Sequence, residues 1–410
     1  MCDEPVKMVR DKTESPAVVS TRARARVRGW ARWMRRASRD SWKVSREVKR
    51  KNLASATALV AASVLALSAC GEAPEESGEG GGESGGGDYK ACIVSDAGGW
   101  EDKSFNESAA RGLEAAVEEL GIEEARAESQ SDSDFAPNVD SMVAQGCNIT
   151  MGVGFLLESA LQDAAESNPD LHFGLVDATF SDEDGNTAEL ENGKPIIFNT
   201  AEASFLAGYL AAGMTETGTV ATFGGIQIPS VTIFMDGFVD GVEQYNDDND
   251  EDVEALGWDK DDQEGSFSGD FENQSQGQAL TEQFISQDAD IIMPVAGPVG
   301  LGAASAAQDA EGTKIIWVDS DGYESTDYGD IVLTSVMKQI SNAVQDTIAE
   351  DVNGNFSAEP YVGTLENEGV GLAPYHDFEG EVPAELDERI QELREQIISG
   401  ELTVESPSTP

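Results

Sequence analysis

Cations are scarce in this chain. Its 410 residues carry 78 Asp and Glu against 26 Lys and Arg, a formal net charge of -52 at pH 7. That balance excludes a DNA- or RNA-binding module, because phosphates need a basic face. Histidine is scarcer still. His172 and His376 are the only two, which leaves little for imidazole catalysis or zinc ligation. Four cysteines are too few for a disulfide scaffold and argue against a zinc ribbon. The acidic run Asp247-Asp248-Asn249-Asp250-Glu251-Asp252 lacks the glycine at its sixth place and the terminal glutamate spacing of a calcium loop. No G-x-G-x-x-G follows a predicted strand, no G-x-x-x-x-G-K-[ST] occurs, and no G-x-S-x-G elbow stands at a strand end. Neither a cofactor nor a resident metal is expected, and the chain is not an ATPase. Hydrophobic residues at 40% and aromatics at 7% are nevertheless enough to bury a large core, and the length suits about two or three domains.

The charge is unevenly spread. Residues 1–69 hold 16 of the basic residues and only 6 acidic ones, so the remainder carries about -62 formal charges. Self-repulsion of that size weakens a compact fold at low salt and is relieved as the Debye length shrinks. A salt-loving source with a solvated acidic surface is the expectation. Leu53–Ala69 is apolar and uncharged, but 17 residues fall short of the ~20 that span a membrane. The basic stretch Arg46 to Lys51 before it makes the pair a secretory signal. Leu67-Ser68-Ala69-Cys70 resembles the lipobox of bacterial lipoproteins, which implies cleavage before Cys70 and lipidation of its sulfur. The Arg-rich stretch before residue 45 is longer than a signal needs. It is either an upstream extension, with the start at Met34 or Val44, or a cytoplasmic tail. Residues 71–87 are Gly, Ser and Glu in the main and form a flexible linker. The expected location is the extracytoplasmic face of the cell membrane, reached by a lipid anchor and not by a spanning helix.

From residue 88 short apolar runs alternate with amphipathic stretches, first over 88–198 and again from 199. The β-α-β-α order predicts two doubly wound α/β lobes on parallel sheets. The division is 1–69 extension and signal, 70–87 anchor and linker, 88–198 plus 322–357 first lobe, 199–321 plus 358–400 second lobe, and 401–410 tail. Ligands of such sheets lie beyond the carboxyl ends of the strands and in clefts between lobes. Several predicted strands end on an acid or a glycine-rich turn: Asp96-Ala97-Gly98-Gly99, Gly152-Val153-Gly154, Asp177, Gly224-Gly225, Ala296-Gly297 and Asp319-Ser320-Asp321. Glycines such as Gly297 let a backbone approach a ligand, and carboxylates accept hydrogen bonds from ligand hydroxyls. Any one Asp taken alone is as readily a turn or helix cap. Only ten Lys and Arg follow the signal. Two of them, Lys103 and Lys338, stand beside predicted strand ends, either meeting a polar partner there or pairing with surface acids. Cys92 and Cys147 begin the first and third strands. They are either bridged, as an exported setting permits, or two small buried residues.

Ser95–Asn106 (SDAGGWEDKSFN) resembles the opening motif of the basic membrane protein (PnrA-like) substrate-binding lipoproteins of ABC transporters. Matching stretches follow in order: Gly152–Phe155, Asn199–Met214, Ala221–Gly241, Met293–Gly302, Trp317–Tyr323 and Leu333–Lys338. The resemblance implies a type I periplasmic-binding-protein fold with three crossovers, and a purine nucleoside in the interlobe cleft. It also implies the roles. Asp96 and Asn106 read base or ribose edges, Phe105 stacks on one base face and Phe234 on the other. Asp177 binds polar ligand atoms, Asp319 or Asp321 accepts ribose hydroxyls, and Lys338 completes the network. Trp100 is a lid or a packing residue. The implied partners are an ABC permease and its ATPase. Two other readings stay open: a receptor for a sugar or signal molecule, including a sensor without transport, and an enzyme such as a nucleoside hydrolase.

Overall fold

The computed structural model describes residues 89–182 and 186–410. The expectations for the extension, the signal, Cys70 and the linker lie outside the described residues. The chain begins with β1 (Lys90–Ser95), α1 (Phe105–Leu120), β2 (Glu123–Glu128), α2 (Phe135–Ala144), β3 (Ile149–Val153), α3 (Glu158–Ser167), β4 (His172–Val176) and β5 (Gly193–Phe198). It continues with α4 (Thr200–Met214), β6 (Thr219–Gly224), α5 (Pro229–Asn249), β7 (Glu254–Leu256) and a small hairpin, β8 (Trp258–Asp259) with β9 (Glu264–Gly265). Then come α6 (Gln274–Ile285), β10 (Ile291–Val295), α7 (Val299–Asp309), β11 (Lys314–Asp319), α8 (Gly322–Ser325) and β12 (Val332–Lys338). The last elements are α9 (Ile340–Val352), β13 (Tyr361–Gly363), β14 (Val370–Leu372) and α10 (Ala384–Ser399).

One sheet runs β2-β1-β3-β4-β5-β13, parallel throughout. The other runs β7-β6-β10-β11-β12-β14, parallel except for β14. Taken by rank in each half, both have the doubly wound 2-1-3-4-5 order, with a sixth strand added late in the chain. This corrects the expected lobe boundaries. Val332–Lys338 was placed in the first lobe but is the fifth strand of the second sheet, where it covers the edge that β11 would otherwise leave unpaired. Tyr361–Gly363, placed in the second lobe, pairs with β5 in the first sheet. The chain therefore passes between lobes after β5, after β12 and after β13, three crossovers in all.

Each central strand is buried on both faces, as a parallel sheet under helices requires. Ala91 and Ile93 of β1 enter the main core, while Cys92 and Val94 enter a separate core beneath α2 and α3. In the second sheet Val220 and Met293 face the main core, and Ala221 and Ile292 face α6 and α7. Cys92 and Cys147 are joined by a disulfide, their Cα atoms 5.9 Å apart, since β1 and β3 are neighbours. Helix α4 is apolar nearly all round, and it is buried nearly all round against α5, α10 and β14. Three glycines let α4 and α5 approach: a Cβ on Gly208 would stand 2.0 Å from the Phe238 carbonyl oxygen, one on Gly237 2.3 Å from that of Ala201, and one on Gly241 2.0 Å from that of Phe205. The close crossing fixes α5, which carries Phe234. Residues 401–410, expected to be a tail, return along α5, with Val404 buried and Ser406 and Ser408 bonded to its side chains.

Candidate functional site

The carboxyl ends of both sheets face one cleft of about 530 Å³, counted with its opening to solvent. Asp96 follows β1, Gly154 follows β3, Asp177 follows β4, and Gly297 lies just beyond β10. Asp319 ends β11 and Lys338 ends β12. All six line the cleft. Several hold a left-handed backbone: Asp177 at φ 66°, Asp319 at φ 69° and Gly297 at φ 53°. A side chain in that region costs of order 1–3 kcal/mol and is tolerated where the surroundings enforce it, as at binding sites.

Lys338 is the centre of the charge arrangement. Its Nζ donates to Asp177 Oδ2 at 2.5 Å and lies 3.4 Å from Asp319 Oδ1. The second contact is not aligned as a hydrogen bond, so that Asp319 oxygen keeps its accepting capacity. Asp319 Oδ2 accepts from Ser104 Oγ at 3.0 Å, which ties the second lobe to the start of α1. The ammonium also lies 4.9 Å from the centre of the Phe234 ring, 5.3 Å from Phe105 and 5.8 Å from Phe198. Burial alone would depress the Lys338 ammonium, but the charges of Asp177 and Asp319 outweigh it and hold it protonated. Two carboxylates share this one ammonium. Burial therefore raises the pKa of Asp177 in spite of Lys338, and the Asp319 charge adds to it.

Asp96 is buried, and desolvation pushes its carboxyl up to about 7 against hydrogen bonds from the backbone of Ala97 and Leu156. Gly154 leaves it room: a Cβ there would stand 1.9 Å from Asp96 Oδ2. Asn106 donates to the Ala97 carbonyl at 2.7 Å, and its own amide oxygen is buried without a partner. Asp102 takes three backbone N–H groups at the opening of α1, from Ser104 (3.0 Å), Asn106 (2.8 Å) and Glu107 (2.9 Å). It holds Phe105 and Asn106 in place as a helix cap does. Burial still pushes its carboxyl up to about 6. Two rings reach the cleft from each lobe, Phe105 and Phe155 from the first, Phe234 and Phe271 from the second. The site thus pairs flat apolar surfaces with carboxylates that can accept from ligand N–H and O–H groups.

Residues 90–408 match the family model for Bmp, the ABC transporter substrate-binding protein PnrA-like family. The chain belongs to this family. Among its relatives is the ABC transporter nucleoside-binding protein BmpA of Lactococcus lactis, 29% identical over 87% of this chain and 99% of that one. Basic membrane protein A of Borreliella burgdorferi is 29% identical over 77% of this chain and 88% of that one. A crystal structure of an ABC transporter solute-binding protein from Aeropyrum pernix K1 superposes with a TM-score of 0.70 at 24% identity, over 78% of this chain and 94% of that one. The fold is that of type I periplasmic binding proteins, and the chain is a substrate-binding protein of an ABC transporter.

Of the residues that the sequence and the Bmp resemblance singled out, Asp96, Phe105, Asn106, Asp177, Phe234, Gly297, Asp319 and Lys338 come together in the cleft. Asp321 does not. Its carboxylate accepts from the Tyr323 backbone N–H at 3.1 Å and meets His376 Nε2 at 2.7 Å, away from the cleft lining. Asp319 lines the cleft and Asp321 does not, because β11 runs to residue 319 and the chain then turns away into α8. Lys103 pairs with Glu107 at 3.2 Å, and its carbonyl accepts from Trp317 Nε1, Ser320 Oγ and Ser325 Oγ. Trp100 packs against the main core. Sequence reasoning missed Asp102, Phe155 and Phe271 as site residues. Phe155 stood beside a strand-end glycine, a usable signal. Phe271 lies in an acidic loop without apolar periodicity and gave none. Among the described residues no helix is long and apolar enough to cross a membrane, and no acid, His or Cys cluster could hold a metal ion.

Proposed function

We propose that this Bmp-family protein is an extracytoplasmic receptor, lipid-anchored through Cys70, that binds a purine nucleoside between its lobes and delivers it to an ABC permease. The observation that carries the reading is the cleft lining: rings from both lobes on its walls and Asp177, Asp319 and Lys338 at the strand ends. A purine between phenyl rings gains about 1–3 kcal/mol from stacking. A ribose hydroxyl bonded to an ionised carboxylate makes a charge-assisted bond, stronger than a neutral one. Asp96 and Asn106 line the same cleft as Phe105 and are suited to base edges. The nucleoside-binding relative in Lactococcus supports the ligand class.

The charge balance argues for a nucleoside over a nucleotide. Asp96, Asp102, Asp177 and Asp319 line the cleft against one lysine, and that lysine is already matched by two acids. A phosphate would meet net negative charge in a desolvated space. A sugar receptor would use the carboxylates but has less need of four phenyl rings. An enzyme would release altered ligand; the proposed receptor returns it unchanged. Protein purified from its native host, denatured and analysed by mass spectrometry should release an intact purine nucleoside. Release of a free pentose or hexose, or of a free base with ribose, would contradict the assignment.

A further inference from the structure

After α10 the chain returns along α5, held by specific bonds. Lys260 Nζ donates to the Glu405 carbonyl at 2.7 Å, Ser406 Oγ donates to Asp236 Oδ2 at 2.5 Å, and the Thr232 and Ser408 hydroxyls lie 2.9 Å apart. Asp236 is fully buried, two residues from Phe234 on the same helix. Its other oxygen accepts from Trp258 Nε1 at 2.8 Å and Gln263 Nε2 at 2.9 Å. A buried carboxylate needs such donors, and the returning segment supplies one of the three.

Beyond Ser406, residues Pro407, Ser408, Thr409 and Pro410 wall a second cavity of about 840 Å³, counted with its opening. Thr179 and Ile197 of the first lobe and Pro229 and Ile233 of the second complete it. This cavity and the ligand cleft have Phe155, Asp177, Ser230 and Lys338 in common. The Asp177–Lys338 pair therefore stands between the two spaces, and residues 407–410 form one wall of the far one. Both side chains are almost wholly shielded, 8% and 3% exposed.

We propose that residues 407–410 are a retaining wall of the ligand site, anchored to α5 and facing the first lobe. They limit access of bulk water to the Asp177–Lys338 pair from behind, which keeps the local dielectric low and the pair's hydrogen bonds to ligand strong. They also block a second way out. Contacts inside the first cleft do not depend on them, so their loss acts on release more than on encounter. The nature of the retained ligand rests on the nucleoside reading; the wall itself does not.

Two variants test this. One ends at Ser406, keeping the anchor on Asp236. The other, Ser406→Ala with Thr232→Val, unhooks the segment without shortening it. Hydrogen exchange in the ligand-free protein should speed up by about tenfold at the amides of 178–180 and 230–233 in both variants, with global melting little changed in the one that ends at Ser406 and lowered in the other, which takes a donor from buried Asp236. Adenosine release, followed by stopped flow, should speed up by a similar factor. Unchanged exchange in both variants would overturn the wall. So would faster exchange with unchanged adenosine release. If the full chain binds no purine nucleoside, the functional reading fails and exchange alone decides whether the wall exists.

Discussion

Lys338 lies among two carboxylates and three phenyl rings, so replacing it removes more than a charge. Lys338→Met leaves Asp177 and Asp319 facing each other in a buried space. Breaking such a pair by removing one partner costs about 3–5 kcal/mol. The expected result is a clearly lower melting temperature and loss of nucleoside binding by calorimetry; unimpaired binding would refute its role. Phe105→Ala is milder. With stacking worth ~1–3 kcal/mol, affinity should fall by roughly one to two orders of magnitude. Asp96 gives a pH signature. Its carboxyl is raised from an ordinary value of 3.8 to about 7. The folded state therefore holds a proton that the unfolded state has lost between those values. That contribution is present below about 4 and is lost as pH rises through about 7. Protonation of surface acids moves stability the same way, so the test is a difference. Asp96→Asn should reduce the gain in melting temperature between pH 8 and pH 5 relative to the unaltered protein; an equal gain in both would exclude Asp96 as the source.

Among the elements, the crossing of α4 and α5 positions the cleft. Gly208→Ala drives a methyl to about 2.0 Å from a backbone oxygen, which a flexible side chain cannot relieve. It should lower the melting temperature well beyond the effect of an Ala change at exposed Gly380, where the backbone is not left-handed and a Cβ meets nothing within 4 Å; equal effects would contradict the packing. Much of this level was legible beforehand. β3 was expected at Ile149–Val153, where it lies, because a run buried on both faces is continuously apolar and bounded by turns. β2 was not read. Its sequence EEARAE has no apolar run, and it exists because β1 offers an edge for a parallel ladder. α10 does carry a helical period in Leu386, Ile390, Leu393 and Ile397, all buried, but it lies beyond the strand–helix alternation of the two lobes. The sequence leaves the bridge open; the pairing of β1 with β3, not the cysteine spacing, is what brings Cys92 and Cys147 together. Alkylation of residues 89–410 without reductant should add no label; two labels would exclude the bridge.

For the whole molecule, eight of the ten Lys and Arg after residue 69 are ion-paired, which leaves most of the acids without a cation. Their repulsion should be screened as the Debye length falls from ~10 Å at 0.1 M to ~3 Å at 1 M salt. The melting temperature should rise between 0.1 M and 2 M sodium chloride, and a flat or falling curve would show that the acidic surface is no salt adaptation. The two-lobe plan was legible in the repeated alternation. The lobe to which β12 and β13 belong was not, because strand exchange between sheets leaves no local mark. In the cleft lining, Asp96, Asp177, Asp319 and Lys338 were legible as charges that end apolar runs, whereas Phe271, in an acidic loop without periodicity, was not.

The central claim is tested most directly by calorimetry at high salt on the chain from residue 88. Adenosine, guanosine and inosine are titrated in turn, with ribose and adenosine 5′-monophosphate as comparisons. At least one nucleoside should bind with a dissociation constant at or below micromolar, ribose far more weakly, and the monophosphate not measurably. Binding of a pentose or hexose with none of the three nucleosides would contradict the account.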